Sequence, residues 1–196
     1  MNEPFSPMPL RPTTVFLDRD GVINRKMPAG AYVERWEQFE FLPGAIEALS
    51  LLRGAAIRTV VVTNQRGVAL GRMAIADVDD IHGRMQTALA ASAAQCDAVL
   101  VCPHDEGSCG CRKPGLGLFV QAQALIPEID LDRAAVVGDS ATDLIAANRL
   151  GCPSFLVGDE HALVKILVGH PDLSVAGRAP SLLSVVTDCL GLREPT

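Results

Sequence analysis

Short apolar runs alternate along this chain with longer stretches in which hydrophobic residues recur every three or four positions. The runs are Val15-Phe16-Leu17, Thr59-Val60-Val61-Val62, Ala98-Val99-Leu100-Val101 and Ala134-Ala135-Val136-Val137, with a fifth at residues 154–157. Each is nearly continuous rather than alternating, as expected of parallel strands covered on both faces. Between them, Pro43-Gly44 opens a helical pattern through Ala45, Ile46, Leu49 and Leu52 that stops near Gly54. A second helix carries the stripe Ile75, Val78, Ile81, Met85 and Leu89. A third is expected over about 116–125, ahead of Pro127, and a fourth over about 142–150, ending at Gly151. This alternation predicts an α/β fold with a doubly wound, Rossmann-like parallel sheet.

Composition narrows the class. The length of 196 residues favours one domain, expected here over 15–196. Residues 1–14 hold four prolines and no hydrophobic signal core, which reads as a loose tail of a cytoplasmic protein. A formal net charge of −6 without any Lys/Arg run argues against a nucleic-acid partner. No apolar stretch approaches the ~20 residues a bilayer span needs, so no membrane partner is expected either.

The strand ends carry the chemistry. The first run is followed by Asp18, the second by Thr63-Asn64, the third by Cys102-Pro103-His104 and the fourth by Gly138-Asp139. Open parallel sheets bind ligands beyond the carboxyl ends of their strands, so these groups converge on one rim. Asp18 and Asp20, two apart after a buried strand, can serve phosphoryl transfer as attacking carboxylate and proton handler. Alone, such a pair would read as solvated turn carboxylates. The cluster Cys102-x-His104-x4-Cys109-x-Cys111 suits a closed tetrahedral Zn²⁺ site. It immediately precedes Arg112-Lys113, so a structural zinc would hold the loop that aims those cations into the site. Cys96, Cys152 and Cys189 read as small buried hydrophobes, and His82, His161 and His170 as structural or surface residues.

In order along the chain, Asp18-Arg19-Asp20-Gly21-Val22-Ile23-Asn24, Thr63, Lys113 within Cys111-Arg112-Lys113-Pro114, and Gly138-Asp139-Ser140-Ala141-Thr142-Asp143 resemble the four signatures of the haloacid dehalogenase superfamily. The resemblance implies a phosphatase that forms an aspartyl-phosphate on Asp18. Asp20 would be general acid, then base. Thr63 and Lys113 would bind the transferring phosphoryl group. Mg²⁺ would sit on Asp18, Asp139 and the backbone carbonyl of Asp20, with Asp143 either orienting that shell or merely starting a helix.

With the zinc loop, these motifs look like the group of heptose-bisphosphate and histidinol-phosphate phosphatases. By that resemblance Asn24, Asn64 and Arg112 contact a small phosphorylated substrate, and no large cap domain is present; a monomer is expected. Two features depart from the group: Arg66 stands where a small or neutral residue is usual, and the gap between His104 and Cys109 is short. The expected reaction is removal of the 7-phosphate of D-glycero-manno-heptose 1,7-bisphosphate. The rivals are histidinol-phosphate hydrolysis and, from another class, a silent zinc-loop binding module. Arg19, Arg25, Arg66 and Arg112 would favour a second phosphate, unless the first three simply pair with surface carboxylates. Tyr32 and Trp36 either belong to the core or close over the substrate.

Overall fold

The computed structural model describes residues 11–193. Six strands form one sheet: β1 (Thr14–Leu17), β2 (Arg58–Asn64), β3 (Ala98–Cys102), β4 (Ala134–Gly138), β5 (Ser154–Val157) and β6 (Gly177–Ala179). Their order is β3-β2-β1-β4-β5-β6 and every pairing is parallel. Helices α1 (Ala45–Gly54), α2 (Ile75–Ala90), α3 (Gly117–Leu125), α4 (Ala141–Leu150) and α5 (Glu160–Gly169) connect them, and a short α6 (Leu182–Ser184) follows β6.

The unbroken apolar runs have the predicted cause. Val15, Leu17, Val61, Ala135 and Val137 face a core shared with α1, α2 and the C-terminal turns. Phe16, Val60, Val62, Ala134 and Val136 face the opposite core, built with α3 and α4. Phe16 meets Phe119 of α3 edge-on at 4.9 Å. The first four helices and first five strands fall where the hydrophobic pattern put them. Helix α4 stops at Gly151, whose φ of 75° is the left-handed turn that favours glycine.

One strand and two α-helices escaped the sequence reading. β6 is three residues long and has no apolar run. Helix α5 buries no residue fully, so its periodicity carries little signal, and Val168 stands 80% exposed. α6 is a single turn. Of the expected tail, residues 1–10 lie outside the described residues; Thr13 bonds to Arg133 and Thr14 begins β1.

Residues 18–44 contain one three-residue 3-10 turn, Trp36–Gln38, too little for a cap domain. Trp36 stacks on Phe39 at 5.0 Å and touches Phe41, which makes it packing. Among the described residues no helix is long and apolar enough to cross a membrane.

Candidate active site

The two central strands, β1 and β4, deliver the first carboxylates. The Asp18 amide donates to Val137 of β4 at 2.9 Å, extending the sheet by one rung before the chain turns. In that turn Val22, Ile23 and Asn24 all donate to the Arg19 carbonyl. Gly21 has φ 89°, and a Cβ there would run into the Asp139 carboxylate, so only glycine lets the two strand ends approach.

Lys113 ties the carboxylates together. Its ammonium, 1% exposed, lies 2.9 Å from Asp18 and 2.6 Å from Asp143. Burial works against its charge, but Asp143 and Asp18 outweigh that and hold its pKa above the ordinary lysine value. Asp143 starts a helix, as one reading expected, and also pairs with Lys113. It caps α4 by accepting from the Ser140 amide at 3.2 Å and hydroxyl at 2.6 Å, and it is fully buried against Lys113.

Asp18 and Asp20 are tuned in opposite directions. Burial pushes the Asp18 pKa up to about 7; Lys113 opposes this, while Asp143, Asp20 and Asp139 add to it. Asp20 is also pushed up by burial, but Arg19 and hydrogen bonds from Asn24, Gln65 and Arg19 outweigh it and leave the pKa low. Those donors lie close: Arg19 Nη2 is 2.9 Å from each Asp20 oxygen, Asn24 Nδ2 2.9 Å from Oδ1 and Gln65 Nε2 2.8 Å from Oδ2.

The structure places the expected substrate contacts unevenly around the cavity. Asn24 is fully buried, spends its amide hydrogens on Asp20 and the Arg25 carbonyl, and does not line the cavity. It orients Asp20 instead. Asn64 does line the cavity, but both ends of its amide are held by the Lys113 backbone, at 3.0 and 3.1 Å. It anchors Lys113. Arg19 is fully buried behind Asp20, Arg25 pairs with Glu40, and Arg66 pairs with Asp105 and Glu106 of the cysteine loop. Arg112 differs from the other three, although its Nη2 also lies 3.7 Å from Glu106. It lines the cavity, and its Nη1 is buried without a hydrogen-bond partner. Thr63 is buried at the end of β2, its hydroxyl accepting from Gln65 at 2.8 Å.

The cavity at this rim has a volume of about 270 Å³ and is bounded by Asp18, Asp20, Lys26, Tyr32, Asn64, Arg112, Lys113 and Thr142. Tyr32, unlike Trp36, thus belongs to the site. Lys26 was not anticipated, because no motif marks it. Its ammonium sits 2.6 Å from Asp139 Oδ2. A larger cleft of about 1010 Å³ runs along α1, but among the described residues Arg11, Glu47 and Arg193 are its only charged groups, and none of the reactive strand ends reaches it.

Among the described residues, two groups of side chains suit metals. Ligand oxygens of Asp18, Asp139 and Asp143 lie within 4.8 Å of one another. Asp143 is already committed to Lys113 and Ser140, whereas Asp139 Oδ1 is buried without a partner. Hard oxygen donors with an orphaned carboxylate oxygen fit a magnesium-sized cation. In the second group, Cys102, Cys109 and Cys111 sulfurs lie 3.3–3.5 Å apart, and His104 Nδ1 is 3.2 Å from Cys111 and 3.7 Å from Cys102. A tetrahedron with Zn–S bonds of about 2.3 Å has S···S edges of roughly 3.8 Å, so these four donors are already gathered to zinc-like spacing. The Arg112 amide donates to Cys109 Sγ at 3.4 Å, which joins this cluster directly to the active-site cation.

Comparison with known proteins agrees with this geometry. The hydrolase-like family described as HAD-hydrolase-like matches residues 110–175. A D-glycero-alpha-D-manno-heptose-1,7-bisphosphate 7-phosphatase of Mycobacterium tuberculosis is 46% identical over 150 residues, 74% of this chain and 78% of the relative. A D-glycero-beta-D-manno-heptose-1,7-bisphosphate 7-phosphatase of Bordetella bronchiseptica is 39% identical over 145 residues, covering 73% and 79%. The crystal structure of the D,D-heptose 1,7-bisphosphate phosphatase of B. bronchiseptica, complexed with magnesium and phosphate, superposes with a TM-score of 0.79 at 33% identity, covering 91% of this chain and 98% of that one.

Proposed function

The chain belongs to the haloacid dehalogenase superfamily, and on that premise we propose that it is the phosphatase that removes the 7-phosphate from D-glycero-manno-heptose 1,7-bisphosphate. The observation that carries this is the set of groups around one cavity: Asp18 against Lys113, Asp20 beside it, and Arg112 facing in. Relatives named for this activity support the substrate.

In this reading an Asp18 carboxylate oxygen attacks phosphorus and the bond from phosphorus to the sugar oxygen breaks. Lys113 offsets the negative charge that crowds the attacking carboxylate. Asp20 gives its proton to the departing alkoxide. Water then attacks the aspartyl-phosphate while Asp20 takes a proton from it, regenerating Asp18. Asp20 is held ionised at rest by its three donors, Arg19, Asn24 and Gln65, and the negative charge of an arriving phosphate raises its pKa towards the protonated form the first step needs. The Thr63 hydroxyl and Arg112 guanidinium are assigned to phosphoryl and substrate oxygens. Asp18, Asp139 and the Asp20 carbonyl would hold Mg²⁺, which supplies charge neutralisation for the phosphoryl oxygens.

Arg19, Arg25 and Arg66 do not line the cavity, so preference for a second phosphate falls to Arg112 and Lys26, which do, each within reach of one carboxylate, Glu106 at 3.7 Å and Asp139 at 2.6 Å. We expect kcat/KM for the heptose bisphosphate to exceed that for histidinol phosphate by at least about tenfold, equivalent to ~1.4 kcal/mol. Histidinol phosphate brings an ammonium towards these cations, whereas a second phosphate gains charge-assisted hydrogen bonds. Phosphate release measured side by side decides it, and a preference for histidinol phosphate removes the sugar assignment.

Zinc in the Cys102, His104, Cys109, Cys111 cluster is assigned a structural role separable from magnesium. Brief EDTA treatment followed by Mg²⁺ should restore activity with zinc retained. Cys109→Ser should lose zinc, lower Tm by at least about 5 °C and weaken catalysis, since the Arg112 amide bonds to that sulfur. Protein purified under reducing conditions without chelators and found free of zinc by metal analysis would refute the assignment.

A further inference from the structure

The Arg19 guanidinium has an unusual neighbour. Helix α2 presents Val78, Ile81, Met85 and Leu89 to the core, and His82 lies buried on the same face at 7% exposure. An apolar residue would satisfy that position. Instead His82 Nε2 sits 3.0 Å from Arg19 Nη1. Arg19 itself is fully buried, with its guanidinium carbon 6.0 Å from the Phe39 ring centre. Its Nη2 supplies the two 2.9 Å bonds to Asp20.

The chemistry of the contact is settled by inventory. A guanidinium has only donors, so His82 Nε2 must be the acceptor and the imidazole is neutral, with its proton on Nδ1. Burial first, then the positive charge of Arg19, push the His82 pKa down to about 3. Without that acceptor a buried N–H would lose its partner, at a cost of roughly 1–3 kcal/mol. The guanidinium would relieve this by rotating, and rotation breaks its paired bonds to Asp20.

We propose that His82 is a positioning residue for proton transfer: as a neutral acceptor it fixes the Arg19 fork, and the fork holds the Asp20 carboxyl in line with the leaving oxygen. His82 exchanges no proton; the proton passes from Asp20 to the leaving alkoxide. The inference rests on the assignment of Asp20 as general acid in the reading above.

The experiment compares kcat/KM for the heptose bisphosphate, whose alkoxide must be protonated as it leaves, with that for p-nitrophenyl phosphate, whose phenolate leaves without a proton. His82→Leu should lower the alkyl value by at least about tenfold and the aryl value by less than about threefold, as expected when general-acid catalysis alone is impaired. His82→Gln, whose side-chain carbonyl can accept from Arg19, should recover most of the alkyl activity. Should His82→Leu fail to fold, His82→Ala takes its place, and added imidazole should restore the alkyl ester selectively. Equal losses on both substrates in a folded variant overturn the proposal. So does an unchanged alkyl value, a His82→Gln enzyme as impaired as His82→Leu, or a folded His82→Ala enzyme that imidazole leaves as it was. Failure of the wild type to hydrolyse either substrate would instead sink the phosphatase reading, whatever His82 does.

Discussion

Asp18→Asn is expected to lower turnover by at least about four orders of magnitude while leaving the protein folded, because phosphate-monoester hydrolysis without catalysis is among the slowest reactions known. The amide is nearly isosteric but cannot attack phosphorus. Its oxygen can still accept from the Arg19 amide, which donates to Asp18 Oδ1 at 2.8 Å, so the turn survives. Two electrostatic effects oppose each other: the variant weakens the contact with Lys113 and relieves repulsion from Asp20, Asp139 and Asp143. A Tm within a few degrees of wild type is the expected net result. Single-turnover assays with labelled substrate should find no phosphorylated enzyme in the variant. In the wild type, a trapped fluoride complex should place the phosphorus analogue against Asp18. Near wild-type turnover in folded Asp18→Asn protein would remove the covalent mechanism.

Lys113→Met is expected to abolish activity and to destabilise the fold, a combination that Asp18→Asn does not produce. Removing the ammonium strands Asp18 and Asp143, both beside a side chain that is 1% exposed. Breaking a buried pair in this way costs about 3–5 kcal/mol, because the remaining charge is left uncompensated. Adding Asp143→Asn should return a large part of that stability, because an amide can still bond to Ser140 without carrying charge. It should return no activity, since the charge beside Asp18 stays missing. Urea denaturation without divalent cation, run as a double-mutant cycle, measures the coupling. Additive losses would mean that the Lys113–Asp143 contact contributes nothing to stability.

The site shows where sequence reasoning stops. Asn24 and Asn64 sit in the right motifs, and side-chain amides are reasonable substrate ligands, yet both turn towards the protein: one to Asp20, the other to the Lys113 backbone. Arg66 looked like a free cation because Asp105 and Glu106 lie 39 and 40 residues away, beyond any local pattern. His82 lies 63 residues from Arg19, so nothing in its own helix distinguishes it from a core residue. Lys26 reaches Asp139 across 113 positions.

What the sequence alone determined follows from local physics. Continuous apolar runs must be covered on both faces, helical stripes must bury one side, and a parallel sheet must gather its strand ends at one rim. Those rules place Asp18, Asp139 and the Cys102–Cys111 loop together, and the spacing of three cysteines and a histidine marks a tetrahedral donor set on its own. The tertiary structure decided the partners. Each buried polar group takes the donor or acceptor that folding brings nearest, and an unpaired one is costly, so the choice rests on distant chain segments. That competition commits Arg19 to His82 and Asp20, Arg66 to Asp105, and Lys113 to Asp143. Of the four arginines expected at the rim, it leaves Arg112 facing the cavity, joined there by Lys26.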